Sequence, residues 1–197
     1  HDAAAGDFCV PADTWPLNIV NCDNRLLGNA VRMRIEPIMA GWVTDMKRGF
    51  LPVRSMLANV LDVDHGMMLV AQQNEVGMAF MFDFKAAFPS IERKFMIDTL
   101  SGWACLLGSS VYRNDLDRTI VNIKLAGTEG EYFAMNRGIR QGCPLSPLIF
   151  AVVVDILLRK LANILQERGM TRAFADDTAM VLRNIFASFS MVAHSFE

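Results

Sequence analysis

The chain has 197 residues, of which 52% are hydrophobic and 20% charged, and this composition excludes a chain that is mostly disordered. A formal charge of −2 and a pI near 5.9 leave no global positive field to advertise a polyanionic partner, although a local basic channel stays open. Cys9, Cys22, Cys105 and Cys143 stand singly, without Cys-x-x-Cys spacing, so they read as four reduced thiols and no zinc site.

The opening HDAAAGDF, starting at His1, lacks the basic and apolar regions of a secretory signal, so a secreted protein is not expected and the start reads as part of something longer. From Leu26 to Val43, apolar Leu26, Leu27, Ala30, Val31, Met33 and Ile35 recur near helical spacing with Arg25, Arg32 and Arg34 between them. An amphipathic helix with a basic side is predicted. Gly49 and Pro52 punctuate the chain before a second helix over Ser55 to Val63, and Gly66 and Gly77 bracket a third apolar segment. Residues 1–76 are therefore expected to form a mostly helical lobe.

The run Gly77-Met-Ala-Phe-Met-Phe-Asp83 predicts a buried strand that delivers one carboxylate at its end. Pro89 breaks the chain, and Glu92 to Leu107 reads as a helix. Ile120–Leu125 and Glu131–Asn136 flank Gly127 and Gly130 in the pattern of a hairpin. Ser146-Pro147 is expected to open a long helix to about Glu167, with Ser146 as N-cap. Asp155, Arg159 and Lys160 interrupt the apolar run of that helix, which makes it a core helix and not a membrane span. Thr171–Ala175 and Thr178–Leu182 are strand-like and are joined through Asp176-Asp177, two carboxylates expected at a hairpin tip.

An isolated Asp-Asp pair is weak evidence of chemistry. Here each acid closes an apolar strand, and carboxylates converging from neighbouring strand ends form a cluster that cations must neutralise. Mg²⁺ is the hard, oxygen-seeking ion that small carboxylate sets hold together with substrate phosphates. Two such ions can activate a hydroxyl and stabilise a leaving pyrophosphate, which is nucleotidyl-transfer chemistry; a two-metal nuclease needs similar acids, so the acids alone leave the reaction open.

Three further segments carry a resemblance: FDFKAAFPSI at 82–91, RGIRQGCPLSPLIFAVVVDILL at 137–158 and FADDTAMVL at 174–182. They resemble motifs A, B and C of reverse transcriptases, specifically those of the non-LTR (LINE-type) retrotransposons, and PLNIVNCDNRLLGNAVRMRIEPI and RGFLPVRSMLANVLDV resemble that group's fingers motifs. The likeness spans about residues 15 to 185 in the family's order. It implies an α+β right-hand polymerase with a small antiparallel palm sheet packed on helices, residues 1–76 being a fingers portion and 77–197 a palm portion. The chain ends about twenty residues past Asp177, so the expectation is of a palm truncated before its remainder and the thumb.

By the same resemblance Asp83 and Asp176 would hold two Mg²⁺ ions, or Mn²⁺, with the Phe84 backbone carbonyl completing a shell, and Asp177 would support the site and the primer end. Phe88 would be the aromatic gate against a ribose 2′-hydroxyl, its ring lining the cavity beside Asp83 and Gln141. Gln141 and Gly142 would form the turn against the incoming nucleotide and template base, and Ala175 occupies the variable place of the Asp-Asp box. The implied partners are an RNA template, a DNA primer and dNTPs, with no membrane, and the implied setting is the nucleus or cytoplasm. Arg137 and Arg140 could reach phosphates, and Lys85 neighbours Asp83.

Two positions depart from the family pattern. Trp15-Pro16-Leu17 stands where Arg-Pro-Leu or Arg-Pro-Ile is usual, leaving Arg25 or Arg54 to grip the triphosphate. Pro52-Val53-Arg54 stands where Pro-Gly-Arg is usual, a costly exchange if φ is positive there. These departures also suit an inactive remnant that only binds nucleic acid. Within the enzymes, a group II intron maturase or telomerase-like relative is the alternative. An RNA-dependent RNA polymerase fits less well, because those carry Gly-Asp-Asp and lack the gate aromatic.

Overall fold

A computed structural model describes residues 18–73, 76–84, 86–101, 120–125 and 127–194. In chain order these form α1 (Cys22–Trp42), α2 (Met56–Gln72), β1 (Met78–Phe82), α3 (Ala87–Ser90), α4 (Arg93–Ser101), β2 (Ile120–Leu125), β3 (Thr128–Ala134), α5 (Ser146–Leu165), β4 (Gly169–Phe174), β5 (Asp177–Leu182) and α6 (Ile185–Ala193). One antiparallel sheet has the order β1-β5-β4, and β2 and β3 form a separate hairpin. This is the expected α+β arrangement with a small antiparallel sheet on helices.

The centre of the molecule is α5. Every residue from Leu148 to Asp155 is buried, so the helix is apolar nearly all round and must be enclosed by other elements. Pro147 sits in its first turn, where a missing N–H leaves no intrahelical bond unmade. Ser146 is not the N-cap that the sequence suggested: it is the first helical residue, and its hydroxyl donates to the Arg140 carbonyl. No helix is long and apolar enough to cross a membrane among the described residues.

Four other expectations change: the second strand of the β2-β3 hairpin runs Thr128–Ala134, taking in Gly130, instead of Glu131–Asn136. In α1 the buried residues are Gly28, Ile35 and Met39, whereas Leu26, Leu27 and Met33 are exposed. The buried stripe is therefore narrower and rotated from the one the apolar pattern outlined. Helix α2 starts as expected, with the Ser55 hydroxyl accepting from the Leu57 N–H at 3.2 Å, but it runs through Gly66, which is buried where the helix faces Met170 of β4. A single helical glycine costs only about 1 kcal/mol, less than the packing restores. Strand β1 is an edge strand exposed over most of its length, not a buried one, because β5 takes the central place.

The N-terminal helices are built into the sheet. The segment between α1 and α2 runs beside β4, with Arg48 N–H donating to the Ala173 carbonyl at 2.8 Å and Ala173 N–H to the Met46 carbonyl at 2.7 Å. Asp62 of α2 accepts from Arg48 and from Arg172 of β4, both at 2.7 Å. These guanidiniums hold its carboxyl below the usual carboxylate range, the Arg172 hydrogen bond being the main cause.

Candidate active site

The register of β1 on β5 brings the motif acids to one end of the sheet. Phe82 pairs with Thr178, so Asp83 follows directly beyond the last pair, at the end where β5 begins with Asp177. Phe174 pairs with Asp177 across a two-residue turn, Ala175-Asp176, so the tip carries one carboxylate and the other starts the strand. Ala175 has φ +51°, the positive value that the first central residue of a primed hairpin turn requires. Asp83 and Asp177 are exposed and Asp176 is half-buried.

A backing loop holds this turn in place. A Cβ on Gly49 would lie 1.9 Å from the Ala175 nitrogen, so only glycine lets the loop touch the hairpin backbone. Behind the contact lies Lys47, 0% exposed, whose Nζ donates to the Gly49 carbonyl at 3.1 Å and sits over the rings of Phe50 and Phe150 at 5.3 and 6.0 Å. Burial pushes its ammonium down to about 8, against the upward pull of Asp176 and Asp155, while Arg54 acts with burial. Asp155, fully buried in α5, accepts from the Thr44 backbone N–H at 3.1 Å, from the Thr44 hydroxyl, and from Arg159 Nε at 2.8 Å. One buried carboxylate thus ties the start of the loop to the central helix.

Arg54 does not fit the role of gripping a triphosphate. Its guanidinium donates to the carbonyls of Ala40 at 2.8 Å, Val43 at 2.7 Å, Lys47 at 2.6 Å, and to that of Thr44. It satisfies the orphan carbonyls where α1 ends and closes the loop behind the hairpin. Val53 beside it has φ +63° and is fully exposed, so a β-branched side chain does occupy a position that favours glycine.

Motifs A and B meet through the backbone. Ile139 N–H donates to the Phe88 carbonyl at 2.9 Å and Gly138 N–H to the Ile91 carbonyl at 2.8 Å. The Phe88 ring is half-buried: it stacks on Phe150, with centroids 4.6 Å apart and planes at 16°, and meets Phe50 edge-on at 5.8 Å. It is therefore anchored in the core more firmly than a ring simply lining a cavity. Gly142 has φ +80°, and a Cβ there would lie 2.7 Å from the Asn18 carbonyl oxygen, so the Gln141-Gly142 turn needs its glycine for conformation and for space. Gln141 is half-buried, as are Phe84 and Ala175. Trp15, Lys85 and the part of the predicted Glu92–Leu107 helix beyond Ser101 lie outside the described residues.

Among the described residues no three His, Cys, Asp or Glu side chains gather into a metal cage of their own. The donors at this sheet end are hard oxygens: the carboxylates of Asp83 and Asp176, with the Phe84 carbonyl next in the chain. That set fits Mg²⁺, which demands few protein ligands and completes its shell from water and substrate phosphates.

Residues 11–188 match the reverse transcriptase (RNA-dependent DNA polymerase) family. The chain belongs to the reverse transcriptase family. It is 24% identical over 194 residues to the transposon TX1 uncharacterized 149 kDa protein of Xenopus laevis, covering 91% of this chain and 14% of that one. It is 26% identical to the Pol polyprotein of the type-1 retrotransposable element R2 of Popillia japonica, with 91% and 26% covered. To the R2DM Pol polyprotein of Drosophila melanogaster it is 28% identical, with 86% and 16% covered. These relatives make it a reverse transcriptase domain of the non-LTR retrotransposon group, one that spans between 14% and 26% of their lengths. In structure it is similar to apo telomerase from Candida tropicalis truncated from its C-terminal domain, with TM-score 0.58 at 11% identity over 85% of this chain and 36% of that one. The telomerase of Candida albicans in complex with a fragment of telomeric RNA gives TM-score 0.58 at 12% identity, with 85% and 32% covered, a likeness of fold.

Proposed function

We propose that this reverse transcriptase domain extends a DNA primer on an RNA template, with Asp83, Asp176 and the Phe84 carbonyl holding two Mg²⁺ ions and Asp177 supporting the site. The supporting observation is the strand register that brings Asp83, Asp176 and Asp177 to one end of the β1-β5-β4 sheet. Held by these residues, the ions would supply activation of the primer 3′-hydroxyl toward the dNTP α-phosphate and neutralisation of the leaving pyrophosphate's charge. The chain's own residues orient the reactants. The turn at Ala175 presents Asp176, Phe88, anchored by its stack on Phe150, would limit how closely a ribose 2′-hydroxyl can approach, and the Gln141-Gly142 turn offers donor and acceptor to the nucleotide.

The test is RNA-templated primer extension in Mg²⁺. Asp176→Ala should abolish it, and Mn²⁺ should support it in the parent protein. Extension that survives Asp176→Ala would refute the assignment. A second reading, a chain that binds template and primer without extending them, draws on the strained Val53. Retained binding with no incorporation in the parent protein, at any Mg²⁺ concentration, would favour it.

A further inference from the structure

Lys47 is a charged side chain for which the proposed reaction has no use. It is 0% exposed, and among the described residues no carboxylate lies within ion-pair distance of its ammonium, which makes one hydrogen bond, to the Gly49 carbonyl at 3.1 Å. An isolated ammonium is costly in an apolar interior, and a methionine would fill the same space at lower cost, so the position is a poor place for a lysine on packing grounds alone. What surrounds it is electrostatic: Asp176 on the hairpin turn and Asp155 on α5 favour its charge, and Arg54 on the loop opposes it. Burial lowers its pKa to about 8, which leaves the group protonated at neutral pH. Its backbone bridges Ala173 of β4, and Gly49 abuts Ala175, so the ammonium is tied to the strand and turn that carry Asp176.

We propose that Lys47 is a positioning residue, a fixed counter-charge beneath the Asp176 turn that sets how strongly the Asp83 and Asp176 pair holds a divalent cation. The inference rests on the reading of that pair as the metal-holding acids. Two carboxylates at one sheet end repel each other before any ion arrives, and a positive charge behind the turn relieves this repulsion without occupying the metal's place. The same field opposes a doubly charged ion, so it weakens binding and keeps the ion exchangeable between substrates.

The experiment is a Mn²⁺ titration of the full 197-residue chain followed by electron paramagnetic resonance of the free ion, with circular dichroism to confirm folding. Lys47→Met removes the charge and keeps the stem. Lys47→Gln removes the charge and keeps a donor for the Gly49 carbonyl. Both should bind Mn²⁺ about five- to tenfold more tightly than the parent chain, a change of the size that one buried charge exerts. Asp176→Asn should lose the site. If both Lys47 variants stay within about twofold of the parent while Asp176→Asn loses binding, the counter-charge is overturned and the metal reading stands. If Lys47→Gln matches the parent and Lys47→Met does not, the hydrogen bond to Gly49 is the function and the proposal also fails. Should Lys47→Met fail to fold, Lys47→Gln alone decides. Unchanged binding in Asp176→Asn would instead remove the metal reading beneath it.

Discussion

The two hairpins of this domain are built from similar material and end in different situations. In β2 and β3, short strands meet at Gly127 with φ +84°, Tyr132 and Phe133 are exposed, and every residue of β3 faces solvent. In β4 and β5, strands of nearly the same length meet at Ala175-Asp176, but Ala173, Thr178, Met180, Val181 and Leu182 are buried. The second hairpin is covered by α2 and α5, and the Met46–Gly49 loop locks against its turn. The first keeps a register shift between Asn122 and Lys124, a local irregularity that an uncovered ribbon tolerates. Strand sequence therefore determines that a hairpin forms, and the helices packed on it determine whether its tip can be held still enough for chemistry.

The largest test of this contrast is at Phe150, whose buried ring carries Phe88, Phe50 and Lys47. Phe150→Ala should cost about 4 kcal/mol in urea unfolding, whereas Tyr132→Ala on the exposed hairpin should stay within about 0.5 kcal/mol. Equal losses would erase the distinction. Next comes Asp155→Ala, expected to cost about 3 kcal/mol because it leaves the half-buried Thr44 N–H and hydroxyl and the Arg159 guanidinium without their carboxylate. Since Thr44 begins the backing loop, the same variant should speed amide exchange in the Ala173–Asp177 segment. A loss of stability without that local change would detach the loop from the hairpin.

Lys47 gives the comparison a pH dependence. Its folded pKa of about 8 lies below the unfolded value of 10.5, so folding of the protonated chain carries a penalty that is full below pH 8 and disappears as pH rises through 10.5. Lys47→Met removes that penalty. It should stabilise the chain by about 3 kcal/mol at pH 7, with the gap from the parent narrowing steadily between pH 8 and 10.5. A gap that does not change with pH would mean that the ammonium is not desolvated. The smallest effect is at Val53, where Val53→Gly relieves a positive φ at a fully exposed site and should raise stability by about 0.5–1 kcal/mol, net of the entropy glycine adds to the unfolded chain.

These effects divide along what a linear sequence can express. The aspartates, the two hairpins and the turn at Gly127 are legible because each depends on neighbours a few residues away. The reach of Asp155 to Thr44 and the burial of Lys47 depend on residues about a hundred positions apart, and the run Lys47-Arg48-Gly49-Phe50 reads locally as an ordinary charged loop. Strand β1 looked buried because its apolar run is continuous, yet its place at the sheet edge is a property of strand order, which no local pattern records. Arg54 is hard to place for a similar reason: a guanidinium beside a motif suggests a phosphate, and only the folded chain shows four carbonyls already converging on it.

The contact of Gly49 with Ala175 has a bearing on how copies of such an element age. Any side chain at position 49 must displace the backbone nitrogen of Ala175, and with it the turn that presents Asp176. A copy carrying that lesion would still spell all three aspartates and would pass a search for intact motifs. Among copies drifting without selection, position 49 is therefore a more discriminating marker of lost function than the strained but solvent-facing position 53, because its damage is transmitted to the acids through space and leaves no trace in their lettering.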